Sequence, residues 1–271
     1  MGLLEFFKMI IVKIGGGKTI NIKGIIADLS SLKETFLIVH GANALRDEIA
    51  ERLNLPKKVI TSVSGFSSVF SDESTLDIMM MTYAGLRNKR IVELCHQHGI
   101  NAIGLSGLDG RLVQGKRNSG IRVKENGKLK IVHDFSGKPK SINKELLELL
   151  LQNKYIPVIC VPIIDEYNYA INSENDDIVN VLQETISADK IIQLIEAPGL
   201  LIEKNNPESL INKLSQQELQ HHVQQTEGRM KRKMLALQKL FDKGSPTVYI
   251  SDGRSEHPVK DALSGKGTVI N

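Results

Sequence analysis

Apolar residues along the chain alternate between short continuous runs and stretches with helical spacing. Met9–Ile14 and Thr35–His40 are continuous runs, and glycine follows each of them directly. Four apolar residues between the two runs recur at helical spacing: Ile22, Ile25, Ile26 and Leu29. A strand, a crossover helix and a second strand of this length form a βαβ unit, which places the two strands in parallel.

Further continuous runs, each after a helix-like segment, predict additional buried strands at Asn101–Leu105, Ile156–Pro162, Lys190–Ile195 and Thr247–Ser251. Ile- and Val-rich runs without alternation are typical of parallel strands that helices cover on both faces. The predicted fold class is therefore α/β, a three-layer αβα sandwich with an open, mainly parallel central sheet.

The span from Arg111 to Lys140 has a different pattern and predicts an inserted antiparallel flap. Its predicted strands are Arg111–Gln114, Ile121–Glu125 and Leu129–His133, with Asn126-Gly127 as a type I′ hairpin turn between the last two. The span carries nine Lys and Arg against two acidic residues, a net charge of +7 in a chain whose net charge is +4. Such a run is usually a solvated surface, but beside an active site it would favour an acidic partner.

Composition narrows the class of protein. A hydrophobic fraction of 41% and a charged fraction of 24% are ordinary globular values and exclude disorder. Cys95 and Cys160 lack the paired spacing of a disulfide framework or a zinc site, which favours a reducing compartment. The start, Met1–Lys8, lacks the basic segment of a signal peptide, and no apolar run approaches the ~20 residues of a membrane span. We expect a soluble, cytoplasmic protein without a metal site of its own.

The first glycine cluster, Gly15-Gly16-Gly17, is a candidate phosphate site. A Walker A loop would require glycine at Val12, and a dinucleotide fingerprint would require it at Ile20, so neither motif is present. Bare backbone N–H groups at a strand end suit phosphate oxygens, and Lys13 adds a point charge. A plain strand-to-helix turn is the alternative.

Three other polar clusters stand where ligands usually bind. The segment 39–44 ends a predicted parallel strand and opens a helix, and ligands of open α/β sheets lie beyond such strand ends. The segment 172–177 has carboxylates at a helix start, where they could also be simple N-caps. Gly228–Lys233 places cations at a helix N-terminus, against the helix dipole, which a bound anion would explain.

In this order, these elements resemble the amino acid kinase superfamily over essentially the whole span from Met9 to Ile270. Further matching segments are Ser64–Asp72, Gly107–Gly110, Pro198–Leu201 and Gly267–Ile270. The resemblance implies an amino acid kinase fold and a single domain, 1–271. Its N-lobe, about 9–175, would bind the acyl acceptor, and its C-lobe, about 176–271, would bind the nucleotide. Similar enzymes are homodimers, or hexamers built on a dimer.

The resemblance also implies a reaction, transfer of phosphate from ATP with Mg²⁺ to a side-chain carboxylate, and a set of site residues. Lys13 and Lys233 would be the cations on the phosphates, and Asp176 would organise them. Backbone of the glycine turns would bind the phosphoryl group, through Gly15, Gly16, Gly41 and Ala42. The acceptor would be held by Gly65, Val69 and Asn172.

Finer features resemble the lysine-pathway branch of these kinases, notably Ser64-Gly65 with Ser71-Asp72 and Ser251–Arg254. Its substrate is 2-aminoadipate, or glutamate, attached through its amino group to the acidic end of a small carrier protein. The basic flap 111–140 would then attract that carrier. Two positions depart from the family. Val69 stands where an arginine binds the substrate carboxylate, a contact that Arg87, Arg117 or Arg122 would have to supply, and Glu196 stands near the place of an aspartate.

Three alternatives remain open from the sequence. A catalytically inactive sensor of this fold would lack the lysines or Asp176, which are all present. A nucleic-acid binder could use the flap, but an aromatic fraction of 4% offers few stacking platforms, so we expect no such partner. Within the kinases, free N-acetyl-L-glutamate of arginine biosynthesis is the alternative substrate.

Overall fold

A computed structural model describes residues 8–65, 67–125, 128–203, 206–225, 228–242 and 244–271 of the chain. Side chains are not described at positions 125, 225, 228–230, 232 and 233. Two sequence expectations therefore lie outside the described residues: the turn at Asn126-Gly127 and the side-chain position of Lys233.

An open sheet of eight strands, in the order β14-β16-β15-β13-β1-β2-β10-β5, forms the middle of the molecule. All its neighbouring pairs are parallel except β15–β16. The strands are β1 (Met9–Ile14), β2 (Thr35–His40), β5 (Ala102–Ser106), β10 (Ile156–Cys160), β13 (Lys190–Ile195), β14 (Lys213–Leu214), β15 (Thr247–Asp252) and β16 (Thr268–Ile270). The mainly parallel sheet predicted from the continuous apolar runs is confirmed, and three of the predicted strands have the predicted ends.

Helices cover both faces of this sheet. They are α1 (Ile22–Leu29), α2 (Asn43–Arg52), α3 (Glu73–Met79), α4 (Asn88–Gln97), α5 (Lys144–Gln152), α6 (Asn175–Ile186), α7 (Gln216–Gln225), α8 (Gly228–Phe241) and α9 (Pro258–Leu263). A π-helical segment, Met80–Arg87, joins α3 to α4, and two 3₁₀ turns lie at Asp109–Arg111 and Pro207–Ser209. None of the described helices is long and apolar enough to span a bilayer.

The residues of β1 show why its sequence has no polar face. Met9 and Ile11 pack into the apolar cluster on one side of the sheet. Ile10, Val12 and Ile14 pack into the cluster on the other side. Because both faces are buried, the strand needs apolar residues at every position except Lys13, whose polar end reaches the side of the sheet where the parallel strands end.

The span 111–140 differs from the single flap that the sequence predicts. Its outer parts, β6 (Val113–Arg117) and β9 (Gly137–Ile142), belong to a second sheet of four strands, ordered β12-β11-β6-β9. The remaining strands of that sheet are β11 (Ile163–Ile164) and β12 (Ala170–Ile171). The first predicted strand is also displaced, because Asp109–Arg111 forms a 3₁₀ turn in which Arg111 has a left-handed φ of 54°.

Only the middle of that span forms a separate hairpin, β7 (Ile121–Glu125) with β8 (Lys128–Val132), an antiparallel pair as predicted. A second hairpin, β3 (Val59–Thr61) with β4 (Ser67–Val69), lies next to it. The two hairpins are joined where Ser62 bridges Val123.

Candidate active site

The first two glycine turns come together at the carboxyl ends of β1 and β2. The N–H of Gly41 donates to Ile14 O at 2.9 Å, and the N–H of Ala44 donates to Gly16 O at 2.9 Å. A Cβ at Gly16 would lie 2.6 Å from Asn43 N and 2.8 Å from Ala42 N, so only glycine allows this approach. The predicted phosphate residues therefore lie side by side.

The N-terminus of α2 opens at this junction without a side-chain cap. Ala42 is the N-cap residue, and its methyl group has no atom that could accept from the first N–H groups of the helix. The N–H of Ala44 is already bonded to Gly16 O. The other N–H groups of the first turn and the positive end of the helix dipole form a suitable site for an anion.

Lys13 and Asp176 meet beside the glycine turns, although 163 residues separate them in sequence. Lys13 Nζ lies 2.5 Å from Asp176 Oδ1, and the side chains are 12% and 28% exposed. Lys13 is the penultimate residue of β1, and Asp176 lies in the first turn of α6. The pair places a cation at the uncapped turns and fixes it with a carboxylate from the opposite side.

Asn172 lies between the second sheet and the β3–β4 hairpin. Its Nδ2 donates to Ser71 Oγ at 3.0 Å, and its backbone N–H donates to Phe135 O at 2.7 Å. Ser71 follows β4 directly after Val69 and Phe70, so this hydrogen bond ties Asn172 to the strand that carries Val69. Gly65 lies in the turn of the same hairpin with a left-handed φ of 82°. The predicted acceptor residues thus form one connected region.

The structure separates the three arginines considered as substitutes for the missing family arginine at position 69. Arg117 Nε lies 3.1 Å from the buried carboxylate of Asp165. Its guanidinium also covers the ring of Phe135, 4.3 Å from the centroid. Arg122 is exposed on the β7–β8 hairpin. Arg87 is half-buried, and burial lowers the pKa of its guanidinium. Arg117 is therefore already bound by a carboxylate, whereas no ion pair between Arg87 and another described residue is seen.

Glu196, which departs from the family pattern, holds the end of the first glycine turn. Its Oε1 accepts from Thr19 N at 2.8 Å and from Thr19 Oγ1 at 2.6 Å. A Cβ at Gly17 would lie 2.0 Å from Glu196 Cδ, so the carboxylate rests against bare backbone. The Thr19 hydroxyl, followed by its N–H group, lowers the pKa of Glu196. The longer side chain thus fastens the glycine turn to the end of β13.

Two residues beneath the turns were not identified from the sequence. The ring of His40 is fully buried, with Nε2 3.1 Å from Asn88 Nδ2. Burial lowers the pKa of His40 to about 3, so the ring is neutral. The hydroxyl of buried Tyr83 donates to Asn43 Oδ1 at the start of α2, and burial raises the pKa of Tyr83 to about 12. Tyr83 lies in the π-helical segment, a geometry for which the sequence gives no signal.

The β7–β8 hairpin presents a mixed basic and apolar face. Arg122 pairs across the hairpin with Ile131, and Lys124 pairs with Leu129, so all four side chains share one side. Leu129 and Ile131 are 64% and 61% exposed. Because Val63 N donates to Arg122 O at 2.8 Å, this face is attached directly to the turn of the β3–β4 hairpin.

Comparisons with known proteins show the family to which the chain is related. The chain matches the amino acid kinase family over residues 8–252. It is 40% identical to the [LysW]-aminoadipate kinase of Thermus thermophilus over 268 residues, 97% of this chain and 100% of the relative. It is 36% identical to the [LysW]-aminoadipate kinase of Deinococcus radiodurans, over 99% of this chain and 93% of the relative.

A more distant relative and a solved structure extend the comparison. The acetylglutamate kinase of Methanopyrus kandleri is 28% identical, over 97% of this chain and 100% of the relative. The N-acetylglutamate synthase of Neisseria gonorrhoeae, with coenzyme A and N-acetyl-glutamate, superposes with a TM-score of 0.77 at 18% identity. That match covers 97% of this chain and 59% of the solved chain, and it concerns the fold alone.

Proposed function

This chain belongs to the amino acid kinase family, and we propose that it phosphorylates the side-chain carboxylate of L-2-aminoadipate bound to a carrier protein. Its kinase relatives make it a phosphotransferase with a carboxyl group as acceptor, and its family uses ATP. Carrier-bound L-2-aminoadipate is the proposed acceptor, and carrier-bound glutamate is a further proposed substrate of the same chemical class. The product would be an acyl phosphate in lysine, or arginine, biosynthesis.

The phosphate end of the site suits a nucleoside triphosphate. Glycine at positions 16 and 41 lets the two turns touch, since a Cβ at Gly41 would lie 2.9 Å from Gly16 N. We assign the γ-phosphoryl group to the bare backbone beside this contact, with the start of α2 and the ammonium of Lys13 around it.

The chemistry that these groups need to perform is limited. A carboxylate oxygen of the acceptor attacks the γ-phosphorus while the bond from that phosphorus to the bridging oxygen of ADP breaks. The acceptor is already an anion at neutral pH, so no base has to remove a proton. Lys13, held by Asp176, neutralises charge on the transferred group, and we assign the same role to Lys233 from α8.

Magnesium is part of the proposal through the phosphates. Among the residues that the structure describes, no group of three His, Cys, Asp or Glu side chains is placed to hold a metal ion. Mg²⁺ in such enzymes keeps several waters and binds mainly to substrate phosphates, so a site without a protein cage suits it. When bound, it would neutralise phosphate charge.

The attachment of the β7–β8 hairpin to the β3–β4 hairpin is the observation that supports a carrier-bound substrate. A partner that places its own chain end at Asn172 would have to pass the β3–β4 hairpin, and the bridge from Ser62 to Val123 puts the basic face beside it. An acidic carrier would be attracted to Arg122 and Lys124 and would cover the exposed side chains between them.

The proposal is tested by trapping acyl phosphate with hydroxylamine while ADP release is followed. Three acceptors are compared: a carrier ending in 2-aminoadipate, free N-acetylaminoadipate and free N-acetylglutamate. We expect turnover with the carrier. Turnover only with free N-acetylglutamate would replace the proposal with an arginine-pathway kinase, the alternative that the sequence leaves open.

A charge variant separates carrier recognition from chemistry. We expect Arg122→Gln combined with Lys124→Gln to raise the KM for the carrier by about tenfold at low salt, because electrostatic attraction of that size is typical of opposed charged surfaces. The matched control is Lys23→Gln with Lys33→Gln, two exposed lysines around α1. An equal rise in KM in both variants would refute docking on the hairpin.

We also propose that the protein is a homodimer and that it is cytoplasmic. Light scattering of the purified protein would check the homodimer. Fractionation of cells would check the cytoplasmic location.

A further inference from the structure

Asn175, the first residue of α6, extends from the helix start toward the two glycine turns. A Cβ at Gly41 would lie 3.5 Å from Asn175 Nδ2, and it would lie 2.9 Å from Gly16 Cα. The amide therefore stands at the point where the turns touch. Its neighbour in sequence, Asp176, binds Lys13 on the same side.

One polar atom of the Asn175 amide, its oxygen, lacks a hydrogen-bond partner among the described residues. That oxygen, Oδ1, is buried. Ser173 Oγ, two residues earlier, is enclosed and unpaired among the described residues in the same way. Buried polar atoms are almost always paired in folded proteins, so each orphan calls for an explanation. A phosphate oxygen cannot pair with Oδ1, because both are acceptors, but it can accept from the nitrogen Nδ2 of the same amide.

Helix capping does not account for Asn175. The N-cap residue of α6 is Glu174, and Asn175 already has helical geometry. By contrast, Asn143 at the start of α5 accepts from Leu146 N at 3.1 Å and is an ordinary capping asparagine. Asn175 thus has the residue type of a cap without its hydrogen bond.

We propose that Asn175 Nδ2 donates a hydrogen bond to an oxygen of the transferred phosphoryl group, a role that rests on the proposed phosphoryl transfer. The oxygen end of the amide is enclosed, so the nitrogen end faces the turns. A neutral donor adds stabilisation without another charge beside the Lys13–Asp176 pair. The equatorial oxygens of the phosphoryl group share the negative charge in the transition state, and a preorganised donor there acts mainly on kcat.

The test compares Asn175→Ala and Asn175→Asp with the capping variant Asn143→Ala. We expect Asn175→Ala to lower kcat by about a hundredfold, the size typical of a lost transition-state donor, with the KM for ATP changed by less than about threefold. Asn175→Asp should lose more, because its carboxylate repels the phosphate. Asn143→Ala should lower the melting temperature and leave kcat near the wild-type value.

A binding measurement gives a readout apart from turnover. By calorimetry, Asn175→Ala should weaken binding of ADP with aluminium fluoride, which imitates the transferred group, and leave binding of ADP alone unchanged. An unchanged kcat and unchanged aluminium fluoride binding would overturn the proposal, as would a fall in melting temperature alone. If Asn175→Ala does not fold, Asn175→Ser replaces it. Failure of the wild type to phosphorylate any carboxylate would instead refute the proposed function.

Discussion

Replacing Gly16 with alanine tests whether the contact between the two glycine turns is needed for turnover. The new Cβ would lie 2.6 Å from Asn43 N and 2.8 Å from Ala42 N, where ordinary van der Waals contact begins at 3.4 Å. Both neighbours are backbone atoms at the start of α2, so the turns must separate by about 0.6–0.8 Å rather than rotate a side chain aside. That displacement moves the start of α2 away from the glycine turn that follows Lys13.

A misplacement of about 1 Å in a catalytic arrangement costs roughly a hundredfold in rate, which corresponds to about 2.7 kcal/mol of barrier. We therefore expect kcat of Gly16→Ala to fall by about that factor, measured by coupled ADP release with hydroxylamine trapping. The control is Gly85→Ala, because a Cβ there meets only Met80 O, at 3.4 Å. Wild-type kcat in folded Gly16→Ala would refute the reasoning, since the turns would then not need to touch.

Two further predictions concern charge. Lys13→Ala should lower kcat by about a hundredfold or more in the same assay while circular dichroism stays unchanged, because Asp176 then faces the phosphates without its cation; near-wild-type turnover would remove Lys13 from the mechanism. His40 is neutral in the folded state, and its depressed pKa gives stability that is complete above about pH 6.5 and falls as the unfolded chain takes up a proton. Urea unfolding should show that the free energy of unfolding is lower by about 2 kcal/mol at about pH 5 than above about pH 6.5. This loss should be absent in His40→Gln and retained in the exposed His98→Gln. Equal losses in all three proteins would contradict the assignment.

The sequence predicts the central sheet well because its strands are buried on both faces. β1, β2 and β13 appear in the sequence as mainly apolar runs, with Lys13 in β1 and Gln193 in β13 as the internal polar residues. Their ends coincide with glycine or with a polar residue. The flap was predicted less well. Strand β6 pairs with β9 on one side and with β11 on the other, where Gln114 lies opposite Ile164, and local patterning carries no information about such distant partners.

The sequence and its family resemblance predict which residues form the candidate site, but not the contacts between them. Lys13 and Asp176 were identified as members of one site, but their ion pair depends on the register of α6 against β1. The attachment of Glu196 to Thr19 depends in the same way on the end of β13. Asn175 was treated as part of a polar run, because an unpaired buried amide is visible only in three dimensions.

The separateness of the β7–β8 hairpin has a consequence for how such a protein could diversify. Within the described residues, the hairpin adds no strand to the eight-stranded or the four-stranded sheet. In sequence it lies between β6 and β9, which are neighbouring strands of the four-stranded sheet. Exchange of residues 121–132 between homologues would therefore exchange the surface that we propose for the carrier and leave Lys13, Gly16 and Gly41 untouched. Selection for a new carrier can act on this graft while the phosphate chemistry stays fixed, and an engineer can do the same.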